Sequence, residues 1–477
     1  MKNLIKILFV LSFLLPVCVQ GQTVTWQNVY NYNGQKSGGR DVIQTYDGGY
    51  IICGALPNKI YLIKLNYLGV QEWDKVLADT LGEYLFAFAI QQTADSGYIM
   101  TGRSGINLAI IKTDKNGILE WKKKYSNFAE YSLGESIIIT SDNGYLACGE
   151  IVTNSISFSY LVKTDNMGNL QWERMYLDSG STASIASDIL EFSNYYYMSG
   201  ISTTTKGYLR KLDLTGKQIW QLNFPSIVFF PKILKLLSNK IIFAGLGRPY
   251  GISFAKIDTS GKILINKVTL TSSFEFYFSS MCINSKQEIV VCGSQRYPPK
   301  VGFTYFAAAV LDTNGNLLNE NRLNSPNNVY NAPYAIQSTL DNGYIFAGDT
   351  EYNPDSDNLN PNNILVAKTD SNFNTPQVVN IENSSFYIEN DYKLFQNYPN
   401  PFNPTTNIGF EIIKPGLVEI ELTDISGKKI ATLLKENKTA GKHEIIFSNR
   451  GLASGTYFYG LRIDGRLMSV KKMIILQ

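Results

Sequence analysis

The chain has 477 residues, a length that fits two or three domains. Its net charge is only +3, with no basic stripe and no run of like charge, which excludes nucleic acid as an expected partner. Apolar residues make up 44%, enough for a large core, and 30 Tyr, 25 Phe and 38 Gly favour strands and tight turns over helices.

The N-terminus, MKNLIKILFVLSFLLPVCVQG, reads as a signal peptide over residues 1–21. Lys2 and Lys6 supply the positive start, an apolar run from Ile7 to Val17 comes next, and Val19 and Gly21 are small enough for cleavage before Gln22. The run is short for a bilayer span, and no other stretch of about 18 apolar residues occurs. Cys18 raises a lipoprotein reading, but Val17 stands where that motif wants a small residue. The chain is therefore expected to be exported, after signal-peptide cleavage.

Internal repeats dominate the chain from about residue 40 to residue 377. DGGYIICG ends at Gly54, DSGYIMTG at Gly102, DNGYLACG at Gly149, SNYYYMSG at Gly200, SNKIIFAG at Gly245, KQEIVVCG at Gly293 and DNGYIFAG at Gly348. Gly54 to Gly348 is 294 residues over six intervals, a mean of 49. A second signature trails each copy: KLNYLGVQEW (64–73), KTDKNGILEW (112–121), KTDNMGNLQW (163–172) and KLDLTGKQIW (211–220). KIDTSGKILI and VLDTNGNLLN lack the Trp, and KTDSNFNTPQ (368–377) is the most degenerate. One copy reads as four short antiparallel strands, with Asp-Gly or Asn-Gly hairpins and an Asp-x-x-Gly turn. Seven such copies predict an all-β fold, a seven-bladed β-propeller.

A ring must close, or its first and last sheets expose their edges. TVTWQNVY (23–30) has the shape of the Trp strands ILEWKKKY and LQWERMY, so it is expected to be the outermost strand of blade seven. The competing strand is TPQVVNI (375–381). Cys53, Cys148 and Cys292 each precede the repeat glycine and read as small core residues. Cys282 lies about one strand from Cys292, which leaves a pair there open. The LDLTGKQIW signature resembles the repeat of quinoprotein-type propellers, a resemblance that implies a Trp packed between blades. The calcium-bound cofactor pocket of that family has no counterpart in these residues, so its activity does not carry over.

Residues 381–392 lose the pattern and read as a linker. Beyond them LFQNYPNPFNPTTNIGFEI leads into alternating strands, giving a small C-terminal β-sandwich over 393–477. The propeller is then bounded at 22–380. QNYPNPFNPTT, VEIELTDISGKKI, AGKHEI, LASGTYFYGL and a late Lys-Lys strand occur in that order. The stretch 394–477 closely resembles the type A C-terminal sorting domain of the type IX secretion system. Gly455, Tyr457, Lys471 and Lys472 match positions that such tails keep. The resemblance implies outer-membrane translocation by the type IX secretion machinery, then removal of the tail and release or attachment at the outer-membrane surface.

His443 is the chain's single histidine and lies in this tail, so the ring has none for a Ser-His-Asp triad or a His-ligated metal. Carboxylate chemistry stays open at Asp41, Asp79, Glu83, Glu130, Glu135, Asp178 and Asp188, assigned to loops that lead into inner strands. The recurring Asp114, Asp165 and Asp213 read as turn formers. Calcium is the one cofactor the sequence offers, at Asp355 and Asp357 in the loop 349–363, where an ordinary polar insertion competes with it. Aromatic loops between blades offer Tyr84, Tyr131, Phe230, Phe276, Tyr277 and Tyr330 as platforms for sugar or protein. The leading expectation is a monomeric, non-catalytic glycan- or protein-binding module. A polysaccharide hydrolase or lyase and a structural surface protein are the alternatives.

Overall fold

The computed structural model describes residues 24–475 apart from 80–81, 127–128, 249–250, 270–275, 297–303, 324–330, 352–362, 377–391, 413–414, 425–428, 450 and 464–465. The signal-peptide segment, most of the linker and most of TPQVVNI lie outside the described residues. The described residues form two compact units, one within Thr23–Asn383 and one within Ser384–Gln477.

The first unit is a β-propeller. Among the described residues it has seven four-stranded antiparallel sheets. Sheet 1 runs outward from the inner strand Gly38–Gln44 through Tyr50–Leu56 and Lys59–Leu65 to Gln71–Leu77. Sheets 2 to 6 repeat this order within 85–124, 131–176, 184–224, 227–269 and 276–322. Sheet 7 takes Asn331–Ser338, Tyr344–Thr350 and Asn363–Thr369, and its fourth strand is Trp26–Tyr30 from the other end of the chain. Trp26 stands opposite Lys368 and Tyr30 opposite Ile364. Each inner strand packs against the inner strands of both neighbours, and that of sheet 7 against that of sheet 1, so the ring is closed.

Within a sheet the repeated residues do specific jobs. The carboxylates Asp114, Asp165 and Asp213 each accept backbone N–H groups two and four residues on, the bonds of a tight Asx turn. The signature lysines Lys64, Lys112, Lys163 and Lys368 are buried, and their Nζ atoms lie 2.8–3.0 Å from Asp47, Asp95, Asp142 and Asp341 of the hairpin turn before them. Burial works against the charge of Asp95 and Asp142. Bonds from Thr93 and Thr140 and the lysine partners outweigh it and pull both down to about 2.

Between sheets the Trp strand meets the Asp-x-x-Gly turn of the next blade. Gly69, Gly117, Gly168 and Gly216 have φ of 75–83°, and a Cβ there would fall within about 3.0 Å of the indoles of Trp26, Trp73, Trp121 and Trp172. The same indoles pair with Tyr50, Tyr98, Tyr145 and Tyr196, with ring centroids 5.8–6.3 Å apart. Only glycine satisfies both demands, a left-handed backbone and an indole against its α-carbon. Sheet 6 has Asn319 in the Trp position, and there the next turn carries Phe373 instead of glycine, at φ 65°. Phe373 is 1% exposed and stacks on Tyr344 at 5.0 Å, so it fills from the turn side the space that the indole fills elsewhere.

All four described cysteines are buried and free, which answers the question of a Cys282–Cys292 pair. Burial pushes the Cys282 thiol up to about 12.

In the second unit a three-stranded sheet (Tyr392–Leu394, Thr405–Ile412, Gly441–Ser448) and a four-stranded sheet (Gly416–Thr423, Lys429–Lys438, Gly455–Ile463, Arg466–Ile475) share one core. Ile408 and Phe410 from one meet Val418, Ile420, Leu461 and Met473 from the other. The Pro-rich segment is tied down by its polar residues. Asn397 Nδ2 donates to Thr406 Oγ1 at 2.9 Å, the Asn397 amide donates to the Tyr459 hydroxyl at 2.7 Å, and the Ile474 amide donates to Asn400 at 2.8 Å.

Candidate functional site

The ends of the second strands and the starts of the inner strands lie on one face of the ring. Two of the sequence-predicted platform residues meet there. Tyr84 directly precedes the inner strand Leu85–Gln92 of sheet 2, and Tyr131 opens the inner strand Tyr131–Ile139 of sheet 3. Arg103, near the end of Tyr98–Ser104 and in register with Phe86, lies between them. Its guanidinium carbon is 5.6 Å from the Tyr84 ring centre, 5.9 Å from Phe86 and 5.1 Å from Tyr131. Tyr84 and Phe86 are nearly parallel (17°), with centroids 6.2 Å apart. Tyr84 is 51% exposed, whereas Phe86, Arg103 and Tyr131 are half-buried. Burial raises the Tyr131 hydroxyl, and the charge of Arg103 and a hydrogen bond from it pull the other way.

The remaining platform candidates do not join them. Phe276 is 1% exposed, packed with Ile252, Phe254 and Ile289 in the core between sheets 5 and 6, so it is a core residue and not a platform. Tyr277, next to it, is half-buried against the same core. Phe230 lies in the strand Ile227–Lys235, but its side chain is outside the description, as is Tyr330 altogether. Asp355 and Asp357 also fall outside the described residues. Among the described residues no group of three His, Cys, Asp or Glu side chains is placed to hold a metal.

The carboxylates split into two sets. Asp79 pairs with Lys122, Glu83 with Lys124 and Asp178 with Arg210, and Glu130 accepts the Ser155 amide. Asp41, Glu135 and Asp188 lie not in loops but within inner strands, which corrects the sequence assignment. Every inner strand carries a β-bulge, and the residue after it stands opposite the one preceding the repeat glycine. Asp41, Asp188 and Lys232 occupy that position in sheets 1, 4 and 5, while Arg40, Glu135 and Tyr334 are the bulged residues of sheets 1, 3 and 7. Burial pushes Asp41 up to about 6 although Lys232 opposes the shift. Burial also raises Glu135, against Lys232 and Arg40. These groups lie on the inner strands of sheets 1, 3, 4 and 5, the strands that line the axis of the ring.

Two of these axial carboxylates brace neighbouring blades. Asp41 accepts the Ile90 amide of sheet 2 at 2.9 Å, and Asp188 accepts the Ile233 amide of sheet 5 at 3.0 Å and the Ser136 hydroxyl of sheet 3 at 2.9 Å. Arg40 lies 4.8 Å over the Tyr334 ring. Arg103, Arg40 and Lys232 carry no signature that sequence reasoning picks out. The one signal for Arg103 is its place directly after a repeat glycine, which ends the second strand on the same face as the aromatic loops.

In the second unit Tyr457 donates to the Ala453 carbonyl at 3.1 Å and packs on the core. Gly455 opens its strand, and Lys471 and Lys472 stand opposite Tyr459 and Phe458 on the last strand, Lys472 exposed.

The fold defines a β-propeller followed along the chain by a second, C-terminal unit. The family model for the secretion system C-terminal sorting domain matches residues 396–476, and this tail is a type IX sorting domain that directs the chain to the cell surface or the medium. No curated protein matches the chain. Among solved structures, the chain is similar to a catalytically inactive virginiamycin B lyase from Staphylococcus aureus solved with quinupristin, at 13% identity and TM-score 0.49, covering 72% of this chain and 99% of that one. It is also similar to the Pan2 WD40 domain of Neurospora crassa (11%, TM-score 0.45, 72% and 96%). A Bacteroides caccae protein of unknown function is a further match (10%, TM-score 0.39, 60% and 94%).

Proposed function

We propose that the propeller is a non-catalytic binding module for a glycan or a protein at the cell surface. In this reading residues 22–380 form a monomeric ring after cleavage before Gln22, 381–392 link it to the tail, and 393–477 engage the type IX machinery. The supporting observation is the Arg103 cluster, where Tyr84 and Tyr131 from neighbouring sheets flank one guanidinium on a single face. An exposed aromatic ring beside fixed polar groups is the usual make-up of a sugar or peptide subsite. The bracing of Asp41 and Asp188 also favours this reading, because both carboxylates already serve the scaffold.

A hydrolase or lyase is the second reading, favoured by one observation: Glu135 joins Asp41 and Asp188 at the axis, and burial raises both Glu135 and Asp41. One panel separates the two. The mature chain is expected to bind a member of a glycan and peptide array, and Tyr84→Ala to weaken that binding at least about tenfold at unchanged melting temperature. Polysaccharide turnover that disappears in Glu135→Gln would establish the hydrolytic reading instead. Absence of binding and of turnover would leave a structural surface role.

A further inference from the structure

We infer that the Arg103 cluster takes acidic polysaccharide, with a uronate carboxylate on the guanidinium and the sugar ring on Tyr84. This rests on the proposed binding role and narrows it to one ligand chemistry. The outer strand of sheet 2 carries two lysines that are paired, Lys122 with Asp79 and Lys124 with Glu83. Arg103 is different: among the described residues no carboxylate lies within ion-pair distance of it. Of the acids of sheet 3, Glu150 accepts the Ser157 hydroxyl and Glu130 the Ser155 amide, and neither forms an ion pair with Arg103.

Aromatic rings hold the cation where an acid ordinarily would. The rings lie 5.1–5.9 Å from the guanidinium carbon and Tyr131 takes one hydrogen bond from it, and a carboxylate would take the N–H groups that remain in a planar match. Among the described residues the Arg103 Nε has no hydrogen-bond partner, and because it is buried a ligand would use the terminal N–H groups. The fixed position lowers the ordering cost of binding, since the side chain is already immobilised by Phe86 and Tyr131. Tyr84 supplies the second half of the recognition. Its half-exposed ring lies parallel to Phe86 and offers a flat apolar surface to the C–H face of a pyranose. A neutral glycan would use only the ring, and an acidic peptide only the cation.

The test is calorimetric titration of the full mature chain with polygalacturonate, alginate, neutral dextran and poly-glutamate at low and high salt. Uronate binding is expected, weakened by salt, reduced at least about tenfold by Arg103→Gln, and intermediate in Arg103→Lys, which keeps the charge but loses the fork. Melting curves confirm that each variant folds, and Tyr84→Ala tests the ring should Arg103→Gln not fold. Preference for dextran or poly-glutamate over uronates, or uronate binding indifferent to Arg103→Gln, would overturn the inference while leaving a binding role intact. Failure to bind any glycan or peptide would overturn both.

Discussion

Trp26→Ala is expected to lower the melting temperature of the ring by roughly 6–10 °C, and removal of residues 23–30 by more. Trp26 is 7% exposed and meets Tyr50 edge-on at 5.8 Å, while its Nε1 donates to the Tyr67 carbonyl at 3.2 Å. Truncating a buried Trp costs about 3–5 kcal/mol, and a domain of this size shifts by roughly 2 °C per kcal/mol. The strand has a further role. The Tyr30 hydroxyl and Asn28 Nδ2 donate to the Gly69 carbonyl at 2.8 and 3.1 Å, so the first strand holds the turn of sheet 1 as well as completing sheet 7. Deleting it would also expose the edge of Asn363–Thr369, and an exposed edge invites aggregation. Circular-dichroism melts of the variants measure both effects. A truncated chain that melts like the parent would mean that the ring is locked elsewhere.

The second large effect is expected at Asp178. Arg210 is 1% exposed, pairs with Asp178, and lies 4.3 Å over the Tyr208 ring. Asp178→Ala would leave that guanidinium buried with Gln221 as its remaining hydrogen-bond partner among the described residues, at a cost of about 3–5 kcal/mol. Replacing both partners by apolar residues of similar volume is expected to cost much less, because desolvation offsets most of the gain from the pair. Burial works to raise the Asp178 carboxyl, but bonds from Thr205 and Gln221 and the charge of Arg210 outweigh it, and the net shift is downward. A depressed folded-state value means stability that is present above the unfolded carboxylate range, near about 3.9, and is lost as pH falls through the folded value. Urea melts should therefore show the penalty of Asp178→Ala at neutral pH and its disappearance in strong acid. A penalty unchanged by pH would place the effect in packing and not in charge.

The scaffold is legible in the sequence because each repeat states its own physics. An Asp-Gly hairpin, a strand that ends in glycine and an Asp-x-x-Gly turn before a Trp recur often enough to define a blade, and 23–30 matches the Trp strands by shape. Phe373 shows where such reading runs short. As text it is a degenerate glycine, and only packing explains it, as the answer to Asn319 in the preceding sheet. The site is legible in part. Aromatic loops point to Tyr84 and Tyr131, but the same signal selects Phe276. An aromatic at the start of an inner strand can turn outward to the face or inward to the next blade, and local sequence does not decide which. Arg103 is hidden because it lies in a second strand, where residues read as core. The axial set is hidden as a set because bulges reset the strand alternation. They bring Asp41, Glu135, Asp188 and Lys232 to one axis from four different sheets.

The central claim is a division of labour: a ring that folds and binds, and a tail that addresses it. Secretion of the full chain and of a chain lacking 394–477, compared in a host with the type IX machinery, tests this most directly. The full chain is expected at the cell surface or in the medium, and the shortened chain in the periplasm as a folded ring with the melting curve of the propeller. A shortened chain that reaches the outside as efficiently as the full one would contradict the account.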